Sequence, residues 1–236
     1  MNESDTTRLN KFIADSGFCS RREADRLIED GRVTVDGRKA DLGERVHSEQ
    51  DVSIDGVSVK REDETILLIF NKPVGLVCTT DDCEEDNVVK FIDYPKRIYP
   101  IGRLDKYSEG LLLLTNRGDL VNGIMRSRYD HEKEYIVTVD RPVTERFLSD
   151  MAAGVPILGT TTKPCKTRKI ARNKFDMIIT QGMNRQIKRM CEYFGYRVMS
   201  LKRIRVMNIL LGDLRSGEYR KATDKEMEEV LRQKAE

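Results

Sequence analysis

The segment from residue 101 to residue 116 places a carboxylate and a cation where they can act together. Arg103 and Asp105 are two residues apart in a stretch predicted to be extended, so both side chains point to the same face. Lys106 follows directly and is expected to face the other way. A turn over residues 108–110 should then lead into an apolar strand at 111–115. A carboxylate at such a strand–loop junction is a candidate for nucleophilic or proton-abstracting chemistry.

The pair has a simpler explanation as well. An Arg-x-Asp pair is more often a surface ion pair, worth less than ~1 kcal/mol. A short motif remains a hypothesis until its context agrees, so the rest of the chain decides between the two interpretations.

A second segment, residues 181–195, predicts a helix that presents cations. Asn184 is suited to cap its start and Gly195 to end it. Four apolar residues share a helical face and are predicted to be buried: Ile187, Met190, Cys191 and Phe194. Three cations lie on another face near the helix start: Arg185, Lys188 and Arg189. The helix dipole disfavours cations there, so a phosphate or a catalytic carboxylate nearby would be favourable.

The surroundings of this helix are also basic. Residues 181–205 hold seven basic side chains and one acidic side chain, and residues 163–174 hold six basic and none acidic. This cluster of basic side chains favours RNA binding as an interpretation. The alternative is a charged protein surface that contacts only solvent. Tyr135 lies in a predicted strand at 134–139, where an ordinary core position is the alternative to a role in a site.

Composition excludes several other classes of protein. The chain has 236 residues, of which 39% are hydrophobic, and 42 basic and 40 acidic side chains leave a net charge of +2. The five cysteines are scattered and odd in number, so reduced thiols in a cytosolic protein are expected. Because no His/Cys ligand cluster is visible, no metal site is expected. The polar, acidic start is no signal peptide, and no apolar run approaches a membrane span.

Residues 8–60 are predicted to form a separate module, joined to residues 65–236 by a charged linker at 61–64. Two short helices should bury one face each: Leu9, Phe12 and Ile13 in the first, and Ala24, Leu27 and Ile28 in the second. A capping box at 20–23 opens the second helix, and strands are predicted at 33–35 and 52–54. Two arginines in the first turn of that helix make a good phosphate site.

The predicted phosphate contacts of this module are Arg8, Lys11, Ser20, Arg21, Arg22 and Lys39. Its ten basic and thirteen acidic residues over 1–60 keep a solvated acidic module open as the alternative.

In residues 65–236, predicted strands outnumber predicted helices and do not alternate strictly with them. This pattern predicts an α+β fold with a mostly antiparallel mixed sheet. The predicted strands are 66–70, 76–79, 97–104, 111–115, 134–139 and 175–180, followed by an extended stretch at 199–211. Helices are predicted at 119–125 and 144–153. A last helix should open with a capping box at 223–226 and turn Met227, Val230 and Leu231 inward.

These segments together resemble the pseudouridine synthases of the RsuA/RluA class. Gly-Arg-Leu-Asp at 102–105 resembles the family's catalytic motif, and Lys-Glu-Tyr at 133–135 its second motif. Gln-Ile-Lys-Arg-Met at 186–190 resembles the third motif, and Asn-Lys-Pro-Val-Gly at 71–75 a strand end of the same family. Residues 8–58 resemble the S4 RNA-binding domain, with Ser-Arg-Arg-Glu-Ala and Gly-Arg-Val-Thr-Val-Asp-Gly in the expected order.

The resemblance implies isomerisation of a uridine in RNA, with Asp105 as the nucleophile and Tyr135 stacked on the target uracil. It implies that Lys188 pairs with Asp105, although Arg185 is an alternative partner. Arg103 would fill the space of the flipped base, and Arg185 and Arg189 would contact RNA. No cofactor or metal is implied, and a monomer is expected. Whether the aspartate attacks the ribose or the base stays open.

The sequence most resembles a branch of the family that modifies large-subunit ribosomal RNA. Small-subunit ribosomal RNA or tRNA are alternative substrates. A non-catalytic RNA-binding protein for ribosome assembly, built on an S4 module, is the alternative from another class.

Overall fold

The computed structural model describes residues 6–60, 64–81, 83–125 and 130–235. The chain divides into two compact units, one reaching to Thr65 with the short segments 95–97 and 116–118, the other holding the rest from Ile66 onward. Of the predicted linker, residues 61–63 lie outside the described part of the chain. In the described ranges, no helix has both the length and the apolarity needed to cross a bilayer.

The first unit packs two helices over short antiparallel strands. Its elements are β1 (Thr7–Arg8), α1 (Leu9–Asp15), α2 (Arg21–Glu29), β2 (Val33–Val35), β3 (Arg38–Lys39), β4 (Arg45–Val46), β5 (Val52–Ile54) and β6 (Val57–Ser58). The strand order is β3-β2-β5-β6, and β1 pairs with β4. The predicted helix faces are confirmed as buried, and the Ser20 hydroxyl caps α2 by accepting from the Glu23 N–H at 3.1 Å.

The second unit is built on a large sheet. Its strands are β7 (Leu67–Lys72), β8 (Tyr99–Ile101), β9 (Glu109–Thr115), β10 (Lys133–Val139), β11 (Pro156–Ile157), β12 (Thr160–Thr161), β13 (Lys166–Ala171), β14 (Lys174–Ile179), β15 (Val198–Val206), β16 (Ile209–Leu210) and β17 (Tyr219–Lys221). Its helices are α3 (Val88–Ile92), α4 (Gly118–Met125), α5 (Glu145–Ala153), α6 (Gln186–Tyr193) and α7 (Asp224–Ala235).

The sheet order is β13-β14-β10-β15-β9-β7-β17, with β8 added to β9 and β16 to β15. The pair β9–β15 is parallel, and the other described pairs of this sheet are antiparallel. The predicted α+β class with a mostly antiparallel mixed sheet is therefore confirmed. Residues of α3, α5 and α6 are buried on one side of the sheet, and residues of α4 and α7 on the other.

Several predicted elements are wrong in detail. Residues 76–79 form no strand, because Val77 makes a single bridge to Asn87. The predicted turn over 108–110 ends earlier, since β9 begins at Glu109. The stretch 199–211 is the hairpin β15–β16, not one extended strand. Leu231 is 44% exposed, although Val230 is buried and the capping box at 223–226 forms as predicted.

Gly110 is the residue on which the parallel pair β9–β15 depends. It adopts φ +102°, and a Cβ atom built there would overlap the carbonyl oxygen of Arg203 on β15. The obstacle is backbone, so no rotamer change can relieve it. Close approach of the two strands therefore requires glycine at this position.

We expect Gly110→Ala to lower the free energy of unfolding by roughly 3 kcal/mol or more, from backbone strain together with overpacking. Urea denaturation followed by circular dichroism measures the change. Gly182→Ala is the matched control, because its Cβ would enter open space. Equal stability of the two variants would contradict this account of the β9–β15 contact.

Candidate active site

A cleft of about 370 Å³ lies beside the interior strands β10 and β15 of the sheet in the second unit. Residues from the loop at 102–105, from β10 and β15, and from the start of α6 line it. The lining includes Arg103, Asp105, Ser108, Lys133, Tyr135 and Arg203. The structure thus brings together the first two predicted motif regions and the start of the third.

Asp105 forms an ion pair with Lys188. The Lys188 Nζ lies 3.4 Å from the Asp105 Oδ2, with 14% of the lysine side chain and 36% of the aspartate side chain exposed. Arg185 instead lies 3.8 Å from Glu192 on its own helix. The partner of Asp105 is therefore Lys188 and not Arg185. A lysine brings one compact charge to the carboxylate, without the two-pronged geometry of arginine.

A buried lysine contacts the backbone carbonyls of Asp105 and of the residues that follow it. Lys72, at the end of β7, is fully buried, and its Nζ donates to the carbonyls of Pro73 at 2.9 Å and Ser108 at 2.8 Å. It also lies 3.4 Å from the carbonyls of Asp105 and Lys106. Burial lowers the pKa of Lys72 from its ordinary value. Four carbonyl oxygens around one ammonium group fix the path of the loop.

Tyr135 belongs to both the core and the cleft. Its side chain is 8% exposed, packs in the main hydrophobic cluster and lines the cleft. The two interpretations of this tyrosine are thus compatible in geometry. Two residues earlier on β10, Lys133 is also 8% exposed and donates to the His131 carbonyl at 3.0 Å. Burial, with Arg203 as a second cause, lowers the pKa of Lys133 to about 8.

The start of α6 differs from the prediction. The N-cap is Arg185, with left-handed φ 49° and ψ 34°, and not Asn184. Asn184 instead accepts from the Arg189 guanidinium through its carbonyl at 3.1 Å and its Oδ1 at 3.3 Å. The buried Gln186 side chain accepts from the Met183 N–H at 3.0 Å. Hydrogen bonds between the loop at 183–184 and residues Gln186 and Arg189 of α6 therefore fix the start of the helix that carries the cations.

Sequence reasoning missed several polar residues of this region. Lys72, Ser108, Lys133, Gln186 and Arg203 are all buried, and all but Lys72 line the cleft. A signal existed for Lys72, since a lysine ending a continuous apolar strand is unusual. Arg203 follows Leu201 with the two-residue period of β15, so it lies on the core side. Its Nε donates to the Leu111 carbonyl at 2.7 Å.

The first unit carries a basic cavity of about 480 Å³. It is lined by Thr6, Thr7, Arg8, Asn10, Lys11, Arg21 and Arg45. Three of the predicted phosphate contacts therefore meet there, together with Arg45, which sequence reasoning missed. Ser20, Arg22 and Lys39 are not among the described lining residues, and the Lys39 side chain lies beside Gly31.

The described residues form no group of three or more His, Cys, Asp or Glu side chains that could hold a metal ion.

Comparisons with known proteins find relatives for both parts of the chain. The family model for RNA pseudouridylate synthase matches residues 66–193, and the model for the S4 domain matches residues 7–53. The dual-specificity RNA pseudouridine synthase RluF of Salmonella typhi is 53% identical over 229 residues, which cover 96% of this chain and 79% of that protein.

Ribosomal large subunit pseudouridine synthase B of Bacillus subtilis is 34% identical, over 94% of this chain and 95% of that protein. A crystal structure of a pseudouridylate synthase superimposes with a TM-score of 0.70 at 30% identity. It covers 94% of this chain and 99% of the other chain.

Because Lys133 is buried, the free energy of unfolding should depend on pH. A lysine whose pKa is lowered on folding destabilises the native state while it is protonated. Below pH 8 the buried lysine is protonated in the native state, so the loss of stability from its burial is fully present. Between pH 8 and about 10.5 the native state loses the proton first, so stability should rise there.

We expect Lys133→Met to be more stable than the wild type at pH 7, by roughly 1–3 kcal/mol. The difference should shrink as the pH rises from 8 to 10. Urea midpoints across this range measure it, with Lys169→Met on exposed β13 as the control. A Lys133→Met variant that is less stable at every pH would show that the cation stabilises the fold.

Proposed function

The chain belongs to the RNA pseudouridine synthase family, and we propose that it isomerises a specific uridine of large-subunit ribosomal RNA to pseudouridine. The observation that carries the proposal is the Asp105–Lys188 ion pair, at a cleft that Tyr135 also lines. Two relatives support this choice of RNA, one named for the large ribosomal subunit and one named RluF.

Asp105 is proposed as the catalytic nucleophile. Its carboxylate is partly exposed, while Lys72 contacts the backbone carbonyl of Asp105 and that of Ser108. Lys188 stabilises the negative charge at 3.4 Å without burying it. An exposed but fixed carboxylate suits an attack on a nucleotide that enters from outside, whether at the ribose or at the base.

Tyr135 and Arg103 are proposed to handle the target nucleotide. In the reaction the bond between N1 and C1′ breaks, the uracil turns, and C5 joins C1′. C5 then loses its proton to solvent or a base, and N1 takes up a proton. The target must leave the RNA stack to reach Asp105. Tyr135 can stack on the uracil, and the exposed Arg103 at the rim can occupy the vacated space. Isomerisation involves no redox or phosphoryl step, so the proposal includes no cofactor.

The two units are proposed to divide the work, with residues 8–60 binding RNA and residues 65–236 carrying the catalytic site. In the first unit, Arg8, Lys11, Arg21 and Arg45 line one cavity, and their positive charge suits a phosphate. In the second, Arg185 and Arg189 are exposed or half-buried beside the cleft and are proposed to contact the RNA backbone. Phosphate contacts of this kind fix position, and the flipped base supplies the chemistry.

Transfer RNA is the second candidate substrate, and a relative described as dual-specificity is compatible with two classes of RNA substrate. Mapping of pseudouridines in ribosomal and transfer RNA from the host, with and without this gene, tests both candidates. Loss of a pseudouridine from large-subunit RNA would support the first proposal. We also propose that the protein acts as a monomer in the cytoplasm, where its RNA is found and where its five free thiols stay reduced.

Asp105→Asn should abolish turnover, with little change in folding or RNA affinity. The amide keeps the shape of the side chain but removes the charged nucleophile. Tritium release from C5-labelled uridine RNA measures the reaction. Asp150→Asn, at an exposed position of α5, is the matched control. If the Asp105→Asn variant retained activity within about tenfold, a barrier change of only ~1.4 kcal/mol, Asp105 would not be the nucleophile.

Arg8→Ala combined with Arg21→Ala should weaken RNA binding and flatten its salt dependence by up to about two units of slope, at ~0.7–0.9 per lost phosphate contact. Arg22→Ala is the control, since Arg22 is exposed on the same helix turn but lies outside the described cavity lining. Binding of a large-subunit RNA fragment across a salt series measures both. If the double variant and the Arg22→Ala control showed the same salt dependence, this cavity would not bind RNA phosphate.

A further inference from the structure

Ser108 has a buried hydroxyl group that nothing in the described protein satisfies. The residue is 1% exposed, and its Oγ has no hydrogen-bond partner among the described residues. Ser108 also lines the cleft that holds Asp105. A buried hydroxyl without a partner costs free energy, so a partner from outside the protein would remove that cost.

The hydroxyl cannot leave this position easily, because the backbone is held on both sides. The Ser108 N–H donates to the Asp105 carbonyl at 3.0 Å, and the Ser108 carbonyl accepts from the Lys72 Nζ at 2.8 Å. The next residue, Glu109, begins β9 in register with Lys202 of β15. The backbone of Ser108 is therefore held at both its N–H and its carbonyl. A side chain on such a backbone is suited to orient a ligand.

The surrounding lining indicates which ligand group would meet this hydroxyl. Lys133 and Arg203 line the same cleft, and both are buried cations that can only donate hydrogen bonds. A ligand that enters between donors presents acceptor oxygens. The target uridine has such oxygens in the two base carbonyls and in the ribose.

We propose that the Ser108 hydroxyl donates a hydrogen bond to an oxygen of the flipped uridine and so holds the nucleotide against Asp105. This inference rests on the proposed function. It assigns to Ser108 a contact with the substrate, and it explains why a hydroxyl is left without a partner at a buried position. Loss of the hydroxyl then affects the reaction and leaves the fold unharmed.

The test compares Ser108→Ala with the wild type on a large-subunit ribosomal RNA transcript, under single-turnover conditions. We expect the ratio of maximal rate to half-saturating enzyme concentration to fall by roughly 5- to 100-fold, because a buried substrate oxygen loses its donor. The melting temperature should stay the same or rise, since no hydrogen bond within the protein is lost. Ser200→Ala, at an exposed position on β15, is the matched control and should leave both values unchanged.

A second variant keeps the test decisive if the first one folds poorly. Ser108→Cys is nearly the same size but donates weakly, so it should fold normally and fall between the alanine variant and the wild type. If the Ser108→Ala variant matched the Ser200→Ala control in rate, the inference would be wrong. A melting temperature that falls in both Ser108 variants in step with activity would show a structural role and also overturn it.

The outcome for the wild type separates this inference from the proposed function. If the wild type forms no pseudouridine in the transcript, the choice of substrate fails, and the Ser108 comparison is repeated on the RNA that mapping identifies. RNA with 2′-deoxyuridine at the mapped position then identifies the contacted oxygen. A penalty that disappears with this RNA assigns the contact to the ribose 2′-hydroxyl, and a penalty that persists assigns it to another oxygen of the nucleotide.

Discussion

The buried ammonium group of Lys72 is the interaction on which the site depends. A charge with no exposed surface must be surrounded by dipoles, and this one is met by carbonyls of Pro73, Asp105, Lys106 and Ser108. These carbonyls belong to the loop that carries the proposed nucleophile and to the end of β7. Because β7 is buried along its whole length, the ammonium is anchored by the core. The conformation of the loop that carries Asp105 is thus fixed by hydrogen bonds to a core residue of the second unit.

Charge is distributed unevenly around the cleft. On the open side, Asp105 meets Lys188, and both keep some exposure to solvent. On the closed side, Lys133 and Arg203 are buried and lack a carboxylate within the described ion pairs. A site that collects buried donors is costly to the protein alone but favourable to an oxygen-rich ligand. This arrangement is consistent with an enzyme that accepts a nucleotide and excludes water.

The two units solve the problem of RNA recognition by different means. In the first unit, Arg8, Arg21 and Arg45 line one cavity, and the contacts with phosphate proposed for this cavity would carry little sequence information. The second unit has a cleft that is proposed to admit one flipped nucleotide. With phosphate binding proposed for one unit and catalysis for the other, the affinity for folded RNA should depend on salt. The rate of the reaction should depend on the local geometry of the cleft.

Local pattern in the sequence determined much of this protein. The helix faces of Leu9, Phe12 and Ile13, the cap at Ser20, the mixed sheet and the motif residues Asp105 and Lys188 follow from periodicity, turn chemistry and family resemblance. What the tertiary structure decided depends on contacts between distant segments. The choice of Lys188 over Arg185 needed the placement of α6, and the role of Gly110 needed the approach of β15. The unsatisfied hydroxyl of Ser108 could be recognised only after its described neighbours were known. Side chains two residues apart are related by the local backbone, whereas partners 36 or 92 residues apart, such as Lys72 with Ser108 and Arg203 with Leu111, meet only when the whole sheet forms.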